Sequence, residues 1–381
     1  CDITADLPKG NEQAGIKNHN AKHGCRICTI DYDELHDMSF NLAAGGRYHH
    51  NTTLQFQALN NVRTQAERDL LSMQYGIRDK PSIFDNIFRD RHLQCPHDAF
   101  HCMGGLANKM LQSTFTILTS KGEESFLNFW KHFEFPNIWS RQQNPITHLN
   151  SYFFSDYLRL TMIMPFLIDR TINNNNLLKE TFINHVVTSC NLSRKNQVIS
   201  QLRYLWVLFA KLVALIFKKI FNEATHNELK NYITQWGYLV AKIFPSITQL
   251  PNFHIIRHFD MHIRNFATLV NTAVPTKEMI HRLFKNIIPH SNKKNIELDF
   301  MQRYNTLQAL RYLLDGGIDF RYNNETQLNF KELSKSQCIQ SLLNSWYISK
   351  LQVEFESNID DYLIDNVTHL GQTIFRDYKE V

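Results

Sequence analysis

The sequence predicts a predominantly helical protein with a small, irregular, strand-bearing start, and three observations predict it. Apolar residues recur at steps of three and four from Leu54 onward. Between 110 and 250 nearly every segment bounded by polar, Pro or Asn breaks carries the same period, and strand-like runs are confined to CDITADL and CRICTIDY near the start. Composition sets the outer limits. With 43% hydrophobic residues, 20% charged residues, 13 Gly and 10 Pro in 381 positions, collagen-like, low-complexity and highly charged disordered classes are excluded. The length exceeds what one core usually fills and allows two domains or one domain carrying a large insertion, of which the motifs below favour the second. A net charge of +5 permits a polyanionic partner without requiring one.

Taken in order, CDITADLP reads as a strand end followed by a loop. The chain then stays polar and irregular through 35. It opens without a basic and apolar leader, so no signal peptide is expected. Leu59, Val62, Ala66, Leu70 and Met73 predict one helix that ends at Gly76, and a second helix starts near Asp98. SFLNFWKHF, SDYLRLTMIMPFLI, LLKETFINHVVTSC, QVISQLRYLWVLFAKLVALIFKKIFNEA and ELKNYITQWGYLVAKIF predict further helices. The most apolar stretch, Leu205 to Phe217, is interrupted by Lys211 and is short of the roughly 18–20 residues a bilayer requires, so it reads as a buried helix and no membrane partner is expected. PNFHIIRHFDMHIRNFATLV and TKEMIHRLFKNII continue the helical mode. IDFRYNNETQLNFKEL alternates and predicts a hairpin closed at Asn323 and Asn324.

Four constellations carry chemistry. Asp6, before Leu7 and Pro8, is either a carboxylate ligand for a hard divalent cation or a cap of the following turn. Cys25 and Cys28 have the spacing of half a tetrahedral zinc site. Seven cysteines, an odd and thinly spread set, argue for reduced thiols and not a disulfide framework. The rest of a zinc site would come from His19 or His23 before the pair, or from Cys95, His97 or His101 after it; two packed structural cysteines are the alternative. Asp98 and His101, at i and i+3, share a helix face and either serve a site or form an N-cap. His254, His258 and His262 fall on one helical face flanked by Arg257 and Arg264, which reads as a basic strip for DNA or as histidines packed at a helix interface. Glu278 opens a helix that also carries His281, Arg282 and Lys285. It is either a third metal ligand or a first-turn acid matched to the helix dipole.

As an ordered set, ADLP, Gly15, His19, Cys25-x-x-Cys28, DAFH with Gly104 and Gly105, NFHIIRH and KEMIHRLFK resemble the catalytic region of eukaryotic cut-and-paste DNA transposases of the CACTA type, especially the Plavaka-like branch of fungi. The likeness runs over roughly residues 1–290. It implies an α/β (α+β) RNase H-like core, cut short at its N-terminus, with a large all-α insertion. The parts would be 1–109 (partial core), 110–250 (helical insertion), 251–300 (return to the core) and 301–381 (a helical or hairpin extension). The long stretch between Asp6 and Glu278 agrees, since a compact sheet connection needs far fewer residues. By the same likeness Asp6 and Glu278 would bind Mg²⁺ or Mn²⁺ as catalytic carboxylates, supported by Asp98 and His101. Cys25, Cys28 and His19 would hold zinc. Arg257, His258, Arg264, Arg282 and Lys285 would touch DNA phosphates.

The function implied is strand cleavage and transfer at transposon ends, in the nucleus, with DNA and a homo-oligomer as partners. The first Asp of such a triad would lie upstream of Asp6, and Asp2 sits on the same segment as Asp6, so the chain is expected to be a piece of a longer protein and inactive alone. The rival expectation is a transposase-derived helical scaffold that binds DNA or protein without chemistry. The Lys218–Lys219 and Lys293–Lys294 pairs are too short to count as nuclear localisation signals.

Overall fold

A computed structural model describes residues 3–136, 139, 141–275 and, with gaps, 285–341. The described chain is 65% helix and 2% strand, and no sheet occurs among the described residues. One compact unit runs to Val274 and a second begins at Pro275.

The first unit opens with a short helix where the sequence suggests a strand end. Asp6 accepts a hydrogen bond from Lys9 N at 3.0 Å, and Pro8 fits the first turn, so the segment winds into α1, Leu7–Gln13. The helix expected from Leu54 to Gly76 is two helices, α2 (His49–Asn61) and α3 (Gln65–Tyr75). Val62 is extended, and Thr64 restarts the chain through a capping box with Glu67, a local bond network that outweighs the continuous apolar period. Gly76 ends α3 as anticipated, with φ +67°, a conformation only glycine adopts cheaply.

Among the described residues three isolated antiparallel bridges stand in for strands: Ile16 with Ile77, Cys28 with Gly46, and Leu118 with Leu178. The second realises part of the strand expected at CRICTIDY, through Thr29 N to Gly45 O (2.8 Å) and Arg47 N to Ile27 O (2.7 Å).

Helices α4 (Ala99–Thr116), α5 (Ser120–His132), α6 (Pro145–His148), α7 (Phe154–Thr171), α8 (Glu180–Ser189), α9 (Gln197–Ile216) and α10 (Glu223–Ile243) follow. α4, α7, α9 and α10 pack into one bundle whose core includes Leu106, Met110, Leu160, Met164, Leu205, Phe209 and Trp236. Trp206 Nε1 donates to Thr114 Oγ1 at 3.0 Å and ties α9 to α4. The bundle starts at Ala99, inside the segment expected to belong to the 1–109 core. α9 is long and apolar enough to cross a membrane by length and composition, but 61% of its most apolar window is buried in the protein, as the reading of 205–217 expects.

The chain leaves α10 through a 3₁₀ turn, Pro245–Gln249, and enters α11 (Pro251–Ile255), a 3₁₀ turn (Ile256–His258) and α12 (Phe259–Phe266). Asn252 docks this segment on α4, its Nδ2 donating to Cys102 O at 3.3 Å while Cys102 Sγ donates to Asn252 O at 3.4 Å. The approach needs Gly105, since a Cβ there would lie 2.5 Å from Asn252 Nδ2.

Helix α13, Ile296–Leu314, belongs to the second unit. Of the hairpin expected over 318–333, Asn323 and Asn324 lie outside the described residues, whereas Thr326, Leu328, Asn329, Glu332 and Leu333 are helical and not extended.

Candidate metal centre and acidic cavity

Cys25 and Cys28 sit on a tight turn held from beneath by one buried guanidinium. Arg47 Nε donates to Cys25 O (2.8 Å) and Cys28 O (3.1 Å), Nη2 to His23 O (2.8 Å) and Nη1 to Tyr75 O (3.0 Å). Ile27 N donates to Cys25 Sγ at 3.5 Å. Across from the turn, α11 and the 3₁₀ turn after it bring His254 and His258, four positions apart, to one face.

Their Nε2 atoms converge on the thiols. Cys25 Sγ lies 3.4 Å from His258 Nε2, Cys28 Sγ 3.1 Å from His254 Nε2 and 3.6 Å from His258 Nε2, and the two Nε2 atoms are 3.0 Å apart. All four ligand atoms lie within 4.8 Å of one another, and all four residues are buried. A tetrahedral zinc ion with bonds of about 2.3 Å to sulfur and about 2.0–2.1 Å to nitrogen would set such atoms about 3.3–3.8 Å apart. The cluster therefore fits a metal ion such as Zn²⁺. Two thiolates would also balance a divalent charge, so that the filled site buries no net charge.

The electrostatics fit a cation site. Burial pushes the Cys25 thiol up, but the Cys28 hydrogen bond and the His258 and His254 imidazoles outweigh it and bring the pKa well below the usual thiol range. Cys28 is held up by its bond to Cys25, by burial and by the Cys25 charge. A bound divalent cation would remove that second proton. Burial keeps His254 neutral, the form that ligates a metal.

Behind the cluster, His97 and His262 form a buried pair with 3.2 Å between Nδ1 and Nε2, and the His97 ring stacks on His258 at 5.7 Å. Burial and then the Arg26 charge push His97 down to about 3. Burial likewise holds His262 well below the usual imidazole value.

This arrangement corrects the sequence reading of both motifs. His19 does not join the thiols; it lines a small recess beside Cys25 and His254. His23 Nδ1 faces Ile30 O, Cys95 Sγ donates to Gly10 O, and His101 pairs with Asp98. The missing ligands are His254 and His258, the histidines of the supposed DNA strip. His258 is 2% exposed and cannot reach a phosphate. The H-x-x-x-H spacing is a metal-pair signal, but it lies more than two hundred residues from the Cys-x-x-Cys half.

The flanking arginines are committed as well. Arg257 donates to the carbonyls of Asp37 (2.7 Å), Met38 (3.1 Å) and Phe40 (2.7 Å), and Arg264 pairs with Glu223 at 2.9 Å and with Asp260 at 3.4 Å. Arg282 and Glu278 lie outside the described residues, and Lys285 is exposed.

Beside the centre, Asp6, Asp98 and His101 line one cavity of about 200 Å³ together with Arg26, His97 and Asn252. Asp98 is the N-cap of α4, as its alternative reading had it. Its Oδ1 accepts from Phe100 N (3.1 Å) and Val274 N (3.1 Å), and its Oδ2 accepts from His101 N (3.2 Å) and contacts His101 Nδ1. Asp6 is partly exposed and stands at the start of a helix, not at a strand end. Among family models, curated proteins and solved structures, none matches this chain.

Proposed function

We propose that this chain is a DDE-transposase-like region whose helical body is stapled by zinc at Cys25, Cys28, His254 and His258, and whose Asp6 and Asp98 carboxylates serve Mg²⁺-dependent phosphoryl transfer on DNA. The observation that carries the reading is the shared cavity: Asp6 and the Asp98–His101 pair, some ninety positions apart in sequence, open on one space beside the Cys₂His₂ cluster. Zinc would be structural, since all four of its positions are filled by protein and none is left for a substrate.

Asp6 would hold Mg²⁺ or Mn²⁺ together with Glu278. The cation would supply the charge that stabilises the attacking and leaving oxygens of an in-line displacement. Asp98 orients His101 through its Oδ2, and Arg26, pinned by Pro96 O at 2.6 Å, adds fixed positive charge at the cavity wall. The RNase H-like relationship, a nuclear location and a homo-oligomer assembled on transposon ends belong to the same proposal.

The test is Mg²⁺- or Mn²⁺-dependent nicking of a duplex carrying the presumed element ends. This chain, an upstream-extended version and the extended Asp6→Ala variant are compared. Cleavage by the extended form, lost in the variant, supports the reading.

One observation favours a second reading, a non-catalytic DNA- or protein-binding scaffold. The Asp98 carboxylate already receives three backbone N–H groups and His101, which leaves it little capacity for a metal. DNA binding without cleavage by any form would decide for that scaffold.

A further inference from the structure

Of the residues expected to meet DNA, His258 is buried and Arg257 is spent on three carbonyls, which raises the question of where a polyanion would lie. A second cavity, about 510 Å³, opens on the side of α1 that carries Lys9, Glu12 and Gln13. Lys9, Lys17, Arg78 and Lys80 line it, against only two acids, Glu12 and Asp79. Both acids are engaged: Glu12 pairs with Lys9 at 2.9 Å, and Asp79 accepts from Ser72 Oγ at 3.2 Å.

The floor is rigid. The antiparallel Ile16–Ile77 bridge, flanked by Lys17 N to Gly76 O (3.0 Å) and Arg78 N to Gly15 O (2.9 Å), sets Lys17 and Arg78 diagonally across it on one face. Arg78 Nε donates to Ile16 O at 3.2 Å, which fixes the plane of the guanidinium. The far wall is apolar, formed by Phe84 and by Ile83, which is 78% exposed.

A groove with cations on a fixed floor and an apolar, partly aromatic wall has the two halves of a nucleic-acid strand site: charge for phosphates and a flat apolar face for bases. Its volume suits a short stretch of strand and not a globular partner. It also neighbours the acidic cavity, since Asp6, Leu7 and Pro8 line the latter and Lys9 follows directly on the same helix.

We infer that this groove binds the phosphodiester backbone of DNA, with Lys17, Arg78 and Lys80 on the phosphates and Phe84 and Ile83 against the bases. The inference rests on the proposed DNA-directed function and gives it a location. The strand would run along α1 past the Asp6 cavity, and binding would not need the divalent cation.

The experiment is fluorescence anisotropy with the full chain over a salt series, in buffer with no added Mg²⁺ or Mn²⁺ and no chelator. The probes are a labelled duplex, the same strand unpaired, an RNA of the same sequence, and inorganic phosphate as competitor. Wild type is expected to bind DNA with an affinity that falls as salt rises, each phosphate contact adding about 0.7–0.9 to the slope. The Lys17→Glu/Arg78→Glu/Lys80→Glu triple variant is expected to lose more than about tenfold in affinity and about two units of that slope. One control accompanies it: Lys121→Glu/Lys131→Glu/Lys242→Glu, three exposed lysines outside the groove, which should lose far less.

Retained zinc content and an unchanged melting temperature establish that the groove variant is folded. Equal losses in both triple variants, or no loss in the groove variant while wild type binds, overturn the groove and leave the DNA reading standing. Absence of salt-dependent binding by wild type overturns both. Loss of binding in the groove variant, with no nicking by any form, keeps the groove and removes the catalytic reading. Tighter binding of RNA than of DNA overturns the choice of strand.

Discussion

Removing the metal should unfasten the protein, and the size of the effect follows from where the ligands lie. Cys28 and His254 are 226 positions apart, so a metal bound to both closes most of the first unit into one loop. A cross-link over a loop of that length removes about 5 kcal/mol of conformational freedom from the unfolded chain at 25 °C. Mass action gives a similar figure, about 4 kcal/mol when free metal stands a thousandfold above its dissociation constant. For domains of roughly this size each kcal/mol moves the melting temperature by about 2–4 °C, so chelation should lower it by about 10 °C or more. His258→Ala should reproduce the loss and make the remaining protein insensitive to chelator. The assay pairs metal content by elemental analysis with thermal unfolding before and after EDTA. Cobalt substitution reports whether the site is tetrahedral with thiolate ligands. Substoichiometric metal in wild type, or a melting temperature that neither EDTA nor His258→Ala shifts, would refute the centre.

Asp98 and Asp6 should separate in stability. Asp98→Ala removes a buried cap and strands Val274 N, which is expected to cost about 2–4 kcal/mol, whereas Asp6→Ala removes one exposed cap bond and costs about 0.5–1 kcal/mol; urea unfolding of the two variants checks the ranking. Trp206→Ala should cost about 3–5 kcal/mol by opening the bundle core, and Trp206→Phe about 1 kcal/mol by leaving Thr114 Oγ1 without its donor, both read from chemical denaturation. His92 gives a pH dependence. Burial lowers its pKa to about 3, with Nδ1 donating to Arg26 O and Thr52 Oγ1 donating to Nε2. The unfolded chain therefore binds the proton first, so the contribution is complete above about pH 6.5 and fades by about 1.4 kcal/mol per pH unit as pH falls toward 3. His92→Gln should flatten the acid limb of a stability–pH curve, and an unchanged limb would contradict the buried neutral state.

Local physics was legible along the chain. The apolar periods of α7, α9 and α10, the cap at Asp98 and the glycine stop at Gly76 all depend on residues within a turn or two of each other, and sequence spacing records such relations directly. Where a local bond network competed with periodicity, as at Thr64 and Glu67 or at Asp6 and Pro8, the side-chain caps prevailed and the expected continuous helix and strand end gave way.

The site itself was legible only in halves. Cys-x-x-Cys and H-x-x-x-H each have metal-pair spacing, but nothing local says that a turn near residue 25 meets a helix near 254. That meeting depends on Asn252 docking against Cys102 over Gly105, and on Arg47 holding both cysteine carbonyls. The same packing turned His258 inward and gave Arg257 three carbonyl partners, so that one expected DNA contact is buried and the other is held by the protein's own backbone. Sequence alone determined the helices, their caps and the inventory of metal-ligating residues, because these follow from short-range geometry. Which ligands share an ion, which charges face solvent and which acids share a cavity was decided by tertiary structure, since long-range packing sets both distance and burial.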